Sequence, residues 1–269
     1  APTVDTHGTV AGSSFAGNDV TIGLNHSPIT GGFAIVNYSL GLQISGSSFT
    51  GNGHRLVDNG MQTGSAVLLT SYSEDCAGLL EVLNSSFTGN FGVYGGALTG
   101  CNMHVVGSTF TANSAAWSGG AITGGALAIE SSTFVGNSST RGGAVWYCDT
   151  STVSNSTFVR NRAVLTGSKY SGFAGALGGY AGLTLTSSTF RVNRADRAGG
   201  AIWLGYSAEG ALTALSKNRF VGNRARYAGG AIGFDSHENT DVSRKAISGA
   251  YAHNRFSSNT AARGADIGG

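Results

Sequence analysis

The chain has 269 residues, of which 44 are glycine, 2 are proline and 11% are charged. No apolar run approaches the roughly 18 residues needed to cross a bilayer, so we expect no membrane-spanning segment. The 16 lysines and arginines nearly balance the 14 acidic residues, for a formal net charge of +2. Large apolar residues recur too regularly for a disordered chain, and we expect neither a nucleic-acid partner nor a cofactor.

Five Asn-x-Ser/Thr sequons lie along the chain, at Asn25, Asn37, Asn84, Asn137 and Asn155. Sequons of this kind are glycosylation acceptors in secreted proteins, and the first residue is alanine rather than methionine. We therefore expect an extracellular or cell-surface glycoprotein that is a fragment or processed part of a longer chain. The alternative is that sequons arise by chance in a sequence rich in Asn, Ser and Thr.

A Phe-x-x-Asn motif occurs nine times and divides the chain into repeats. The copies start at Phe15, Phe49, Phe87, Phe110, Phe134, Phe158, Phe190, Phe220 and Phe256. The shortest steps between copies are 23 and 24 residues, and longer steps indicate the same unit with insertions. A Gly-Gly-Ala motif follows in five copies, at Gly95, Gly119, Gly142, Gly199 and Gly229.

Each repeat has the pattern of short strands separated by tight corners. In the stretch LAIESSTF, which ends at Phe134, apolar and polar residues alternate as they do in a half-buried strand. Asn and Gly supply the left-handed backbone positions that corners need. A unit of this length cannot bury its own apolar face, but stacked copies can. The sequence therefore predicts an all-β fold, one single-stranded parallel β-helix domain over residues 1–269 with about nine to ten coils.

The repeat alignment also predicts two ladders inside this β-helix. Each Phe is expected to stack on the Phe of the next coil, and each Asn to hydrogen-bond to the next Asn at a corner. The Phe ladder comprises Phe87, Phe110, Phe134, Phe158, Phe190 and Phe220. The Asn ladder comprises Asn90, Asn113, Asn137, Asn161, Asn193 and Asn223.

The pairing of Phe-x-x-Asn with Gly-Gly-Ala-Ile/Leu/Val resembles the repeats of the chlamydial polymorphic outer membrane proteins. It is clearest where Phe110 and Asn113 precede residues 119–122, and where Phe190 and Asn193 precede residues 199–202. The resemblance covers nearly the whole chain. It implies a right-handed parallel β-helix exposed at a cell surface, often as an adhesin, and the rule for parallel crossovers predicts the same hand.

Charge is distributed unevenly between the two halves of the chain. Residues 1–140 contain one Arg and seven acidic residues, a balance of −6, and residues 141–269 contain fifteen Lys/Arg and seven acidic residues, a balance of +8. Arg162, Arg194 and Arg224 follow the Asn of the motif in three successive coils. Two interpretations stay open: this row binds an acidic glycan or another anionic surface, or its arginines are stacked, solvated and partly neutralised by Asp196.

Aromatic residues after Gly-Gly-Ala in the later coils are a second set of candidate binding residues. They are Trp146, Tyr147, Trp203 and Tyr206. Exposed rings at these positions would form a platform for sugars, whereas strand alternation places about half of such residues in the core.

The insertion at 235–250 is a third candidate. It brings together Asp235, His237 and Glu238, which have the groups for acid–base chemistry or Ca²⁺ binding. It contains no recognised motif, and a charged surface loop is the alternative interpretation.

The three cysteines, Cys76, Cys101 and Cys148, do not have the spacing of a metal site. Cys76 and Cys101 lie at similar distances before the Phe of adjacent coils, where a disulfide fits. Cys148 lies two coils beyond Cys101. We expect a disulfide between Cys76 and Cys101, and the state of Cys148 stays open.

Regular repeats leave little sequence for a catalytic site. A hydrolase needs two carboxylates at a set separation, and Asp149 and Asp235 are predicted to be three coils, roughly 14 Å, apart. We expect a non-enzymatic extracellular module with an adhesive or structural role in a coat or filament. Its expected partners are an acidic glycan, another surface protein, or further copies that stack at the coil ends. The alternative is a lyase or hydrolase that acts on an acidic polysaccharide.

Overall fold

The structure is a computed structural model that describes residues 7–18, 34–37, 41–53, 65–69, 78–205, 214–234 and 253–268. In these ranges the regular secondary structure consists of 32 short strands, which stack in order into four long parallel sheets, A to D. The predicted all-β parallel β-helix is therefore confirmed. No helix in the described ranges is long and apolar enough to cross a bilayer.

Each complete coil runs through sheets A, B, D and C in chain order. Sheet A contains β1 (His7–Ala11), β4 (Gly41–Ser45), β7 (Leu79–Leu83), β11 (Asn102–Val106), β15 (Leu127–Glu130), β19 (Ser151–Ser154), β23 (Leu183–Thr186) and β27 (Ala214–Ser216). Sheet B contains β2 (Ser14–Ala16), β5 (Ser48–Thr50), β8 (Ser86–Thr88), β12 (Thr109–Thr111), β16 (Thr133–Val135), β20 (Thr157–Val159), β24 (Thr189–Arg191), β28 (Arg219–Val221) and β31 (Arg255–Ser257).

The other two sheets complete the wall of the β-helix. Sheet D contains β9 (Phe91–Tyr94), β13 (Ser114–Ser118), β17 (Ser138–Ser139), β21 (Arg162–Ala163), β25 (Arg194–Ala195) and β29 (Arg224–Ala225). Sheet C contains β3 (Ile35–Asn37), β6 (Val67–Leu69), β10 (Leu98–Gly100), β14 (Ile122–Gly124), β18 (Val145–Tyr147), β22 (Leu177–Gly179), β26 (Ile202–Leu204), β30 (Ile232–Phe234) and β32 (Ile267–Gly268). Sheets B and C each have nine strands, so the described residues form nine coils.

The phenylalanines of sheet B form one continuous stack in the core. From Phe15 to Phe256, consecutive ring centroids are 4.7–5.1 Å apart and the rings are tilted by only 2–12°. The strands pair in register, so each Phe lies directly over the Phe of the next coil. The seven rings from Phe49 to Phe220 are fully buried, so folding removes seven large apolar side chains from water.

The Asn of each motif lies at the corner between sheets B and D, where the asparagines form a hydrogen-bonded ladder. Nδ2 of Asn113 donates to Oδ1 of Asn137 at 3.0 Å and to the carbonyl oxygen of Phe87 at 3.0 Å. The backbone N–H of Asn113 donates to the same Oδ1 of Asn137 at 2.9 Å. The pattern repeats from Asn52 to Asn259. Because a buried amide must be paired, this corner favours a side chain that has both donors and an acceptor.

A second ladder, not predicted from the sequence, is formed by the residue two positions before each Phe. The backbone N–H of Ser108 donates to Oγ of Ser132 at 3.2 Å, and that hydroxyl donates to the carbonyl oxygen of Glu130 at 2.8 Å. The ladder runs through Ser47, Ser85, Ser108, Ser132, Ser156 and Ser188 and continues through Asn218 and Asn254. The sequence signal for this ladder is the serine that occupies this position in seven successive copies of the motif.

The Gly-Gly pair is required by the close approach of backbones at the corner between sheets D and C. Gly119 has a φ of +58°, and a Cβ added to it would lie 1.9 Å from the carbonyl oxygen of Ile122. A Cβ added to Gly120 would lie 2.1 Å from the carbonyl oxygen of Gly143 in the next coil. Only residues without a side chain let adjacent coils pack at this distance.

Candidate anion-binding site

Arg162, Arg194 and Arg224 begin the short strands of sheet D in three successive coils. Arg162 pairs in register with Arg194, and Arg194 with Arg224, so neighbours are one strand spacing, about 4.8 Å, apart. The alanine that follows each arginine is buried. Because side chains alternate across a strand, the arginines point outward, and the side chains of Arg162 and Arg194 are 48% and 54% exposed.

Asp196 lies between the first two arginines of this row. Its Oδ2 is 3.1 Å from Nη2 of Arg162, and its Oδ1 is 3.3 Å from Nε of Arg194. The backbone N–H of Leu165 also donates to Oδ2, at 3.3 Å. Burial raises the pKa of Asp196, but the Leu165 N–H and the two guanidinium groups outweigh burial, so the pKa is lowered. Asp196 is therefore an anion at neutral pH that orients two arginine side chains.

The arginine row lines a surface cavity of about 320 Å³. The lining residues are Arg162, Leu165, Arg194, Ala195, Asp196, Arg224 and Arg226. Four guanidinium groups and one carboxylate leave an excess of three positive charges (4 − 1) at the cavity. Within the described residues, Arg224 and Arg226 form no ion pair, so they are available to an anion.

Residues with hydroxyl groups continue the row beyond both of its ends. Ser138 pairs in register with Arg162, and Ser114 pairs with Ser138. At the other end Thr260 forms a parallel bridge with Arg224. A hydroxyl group both donates and accepts hydrogen bonds, so short polar side chains flank the charged part of the row along the axis of the β-helix.

The predicted aromatic platform is wrong for three of its four residues. Tyr147 is fully buried in the main core, and Trp146 and Trp203 are only 3% and 4% exposed. Trp146 and Trp203 lie two coils apart, with Gly178 in register between them. Their rings lean over this glycine and stack with centroids 5.8 Å apart. These ring faces are covered by neighbouring side chains, so a sugar has no access to them.

Four predicted binding residues lie outside the described part of the chain: Tyr206, Asp235, His237 and Glu238. The roles assigned to them, including acid–base chemistry or Ca²⁺ binding by the insertion at 235–250, stay predictions. Among the residues that the structure does describe, no group of three His, Cys, Asp or Glu side chains is arranged to hold a metal ion.

The predicted glycosylation sites differ in accessibility. Asn84 and Asn155 are exposed at corners between sheets A and B, with φ values of +47° and +50°. Asn137 is fully buried, and its amide makes the ladder hydrogen bonds. The prediction of a glycan at Asn137 is therefore wrong, because a glycosylated amide has no room there. Asn25 and the side chain of Asn37 lie outside the described residues.

Two of the three cysteines have a defined state. Cys101 is disulfide-bonded, and Cys148 is a free, exposed thiol. Cys76 lies outside the described residues, so its pairing with Cys101 stays a prediction. Desolvation is the main cause that raises the pKa of the Cys148 thiol. The neighbouring Asp149 carboxylate raises this pKa further, and Arg141 opposes the shift. The thiol is therefore mostly protonated and weakly reactive at neutral pH.

A charged cluster on sheet A was not predicted from the sequence. Nδ1 of His104 lies 3.4 Å from Oε1 of Glu81, and Nε2 lies 3.7 Å from Oε1 of Glu130. Nε2 of Gln43 donates to Oε2 of Glu81 at 2.5 Å. This hydrogen bond, assisted by His104, lowers the pKa of Glu81 against the opposing effect of burial. Gln43, Glu81 and His104 occupy the same register position in successive coils, so aligning the strands before Phe would have found them.

No family model, curated protein or solved structure matches the chain. The resemblance of the repeats to those of the chlamydial outer membrane proteins stays an expectation. Because a β-helix scaffold supports many functions, the functional interpretation depends on the geometry of the arginine row and its cavity.

Proposed function

We propose that this chain is an extracellular or cell-surface β-helix module with an adhesive or structural role, which binds acidic glycans through its arginine row. The observation that carries the proposal is the in-register alignment of Arg162, Arg194 and Arg224 at a cavity with three excess positive charges. A planar guanidinium group donates two parallel hydrogen bonds to a carboxylate or a sulfate. An anionic ligand also relieves the mutual repulsion of arginines that lie one strand apart.

The surroundings of the row support a sugar polymer rather than a small anion. Ser138 and Thr260 place hydroxyl-bearing side chains beyond the two ends of the charged segment. Tyr227 is 48% exposed, with the guanidinium of Arg226 over its ring at 5.3 Å. Hydroxyl groups pair with sugar hydroxyls and aromatic rings pack against sugar faces, so the surface offers contacts that a bare charge patch lacks.

The alternative of a polysaccharide lyase or hydrolase has weaker support. Among the described residues, Asp196 is the one carboxylate that lines the cavity, whereas a glycosidase uses two. Both of its oxygens are held by arginines and its pKa is lowered, which makes it a weak general base. We therefore expect binding without turnover.

The proposal is tested by measuring the affinity of the purified chain for immobilised polyuronate and sulfated glycans at increasing salt. We expect the affinity to fall as salt screens the arginines. The variant Arg224→Gln, which removes a guanidinium that forms no ion pair within the described ranges, should weaken binding about two- to fivefold. The same samples, assayed for new reducing or unsaturated ends, should show none, and their appearance would establish turnover and reject a purely binding role.

Arg219 provides a charge-matched control for this experiment. It lies on sheet B, where it pairs in register with Arg255, away from the cavity. Arg219→Gln changes the net charge by the same amount as Arg224→Gln and should leave the affinity nearly unchanged. Equal losses in the two variants would show attraction by overall charge and would contradict the row as the binding site.

A further inference from the structure

We infer that the preferred ligand of the arginine row is a linear polyuronate that lies along the axis of the β-helix, with one carboxylate opposite each coil. This inference rests on the proposed function, since it names the class and the orientation of the ligand at the same row. The observation that carries it is the period of the charges: one arginine per coil in three successive coils, at an identical position in each strand.

The period of the row matches a polymer that is charged on every sugar. Arg162, Arg194 and Arg224 are paired position by position without a bulge, so the strand spacing of about 4.8 Å repeats twice. An extended polysaccharide advances by one sugar over nearly the same distance. A polymer with a carboxylate on every sugar therefore presents one charge to each arginine, whereas a polymer charged on every second sugar leaves the middle arginine unpaired.

The arginines can follow such a ligand even where its carboxylates alternate between the two sides of the chain. Each guanidinium is carried on a flexible three-carbon stem, and the Arg162 and Arg194 side chains are about half exposed. The positions that continue the row are the short side chains of Ser138 and Thr260. A polymer can therefore extend past the charged segment in both directions without meeting a bulky side chain at these positions.

Asp196 acts as a positioning residue for this ligand. It accepts hydrogen bonds from Nη2 of Arg162 and lies against Nε of Arg194. A guanidinium has five N–H donors, so both arginines retain donors for a carboxylate of the ligand. The shared counter-charge also holds the two side chains one coil apart against their repulsion. Arg224 has no ion-pair partner among the described residues, so its donors are available to the ligand.

The inference is tested with oligogalacturonates of increasing length, whose affinities are measured by calorimetry at one low salt concentration. We expect the affinity to rise about two- to fivefold for each added uronate until three carboxylates meet three arginines, and then to level off. Hyaluronan fragments, which carry a carboxylate on every second sugar, should bind more weakly than oligogalacturonates that have the same number of carboxylates.

The variant Arg194→Gln removes the middle charge and should flatten the dependence on length, while Arg219→Gln should preserve it. Arg224→Lys keeps the charge but loses the two-pronged donor and does not disturb Asp196. Arg224→Lys should weaken binding of the galacturonate trimer without affecting the fold. It therefore keeps the test valid if Arg194→Gln unfolds at a lower temperature.

The outcomes separate this inference from the proposed function. Equal affinities for oligogalacturonate and hyaluronan at equal carboxylate number, with no break in the dependence on length, would overturn the match between the spacing of the arginines and that of the uronates. This result would leave glycan binding itself intact. Absence of binding to every acidic glycan would instead reject the proposed function itself. A plateau at the trimer, together with a flatter dependence of affinity on length in Arg194→Gln, would support the axial arrangement.

Discussion

Nδ2 of Asn137 donates a hydrogen bond of 3.0 Å to Oδ1 of Asn161 in the next coil, and the backbone N–H of Asn137 donates to the same oxygen at 2.9 Å. One side-chain oxygen therefore holds two donors of the preceding coil. Repeated through the chain, this arrangement links the corners between sheets B and D into one buried ladder. The Asn of the repeat is thus structural, even where it begins a glycosylation sequon.

Replacing Asn137 by alanine should destabilise the β-helix by about 2–4 kcal/mol. The substitution leaves donors of Asn113 and the carbonyl oxygen of Phe110 buried without their partner. The measurement is the shift in the urea unfolding transition. Asn155→Gly is the control, because Asn155 is exposed and its φ of +50° suits glycine. Similar shifts in the two variants would contradict a structural role for the ladder.

Replacing Phe134 by alanine should cost about 3–5 kcal/mol of unfolding free energy. The ring is fully buried and stacks on Phe110 and Phe158 at 4.8 and 4.7 Å, so its loss opens a cavity in the middle of the core. Denaturant unfolding followed by circular dichroism measures the effect. Val135→Ala, on the outer side of the same strand, should shift the transition far less, and a comparable loss would argue against the stack as the main core.

The corner after Phe offers a test of backbone strain without a change in packing. Gly136 has a φ of +64°, and an added Cβ would meet nothing within 4 Å. Gly136→Val should therefore destabilise the chain by about 1–2 kcal/mol through its conformation alone. Val192 occupies the equivalent corner two coils later with a φ of +56°.

The reverse change, Val192→Gly, should raise the melting temperature. The gain should be below about 1 kcal/mol, because glycine also increases the entropy of the unfolded chain. Thermal melts of the two variants measure both effects. A lower melting temperature for Val192→Gly would show that the exposed Val192 side chain stabilises the corner by contacts that outweigh the strain.

The ion pairs of Asp196 should make stability depend on pH. Because its pKa in the folded chain is lowered from 3.8, the stabilisation is fully present above the pKa of the unfolded chain and is lost as the pH falls through the lowered value. We expect Asp196→Asn to reduce the melting temperature at neutral pH and the difference from the unchanged chain to vanish in strong acid. A difference that stays constant on acidification would show that the Asp196 carboxylate is not responsible.

The repeated positions of the coil could be predicted from the sequence because each has the same neighbours in every copy. Phe110 meets Phe87 and Phe134. Gly119 approaches the backbone of its own coil, and Gly120 approaches that of the next coil. A residue that serves one local purpose many times leaves a period in the sequence. The serine ladder has the same kind of period. Asn137 occupies one of these repeated positions, and its amide is already hydrogen-bonded at the corner, so it cannot carry a glycan.

The surroundings of the outward-facing residues could not be predicted from the repeat, because they depend on contacts between coils. Strand alternation predicts the side from which Trp146 leaves the sheet, but its burial depends on Gly178 and Trp203 in the next two coils. The repeat pattern specifies the coil and the order of the arginines along the β-helix. The Arg162 side chain is oriented by its ion pair with Asp196 in the next coil, and only the folded chain brings these two residues together. A surface side chain is positioned by the groups that adjacent coils and insertions place beside it.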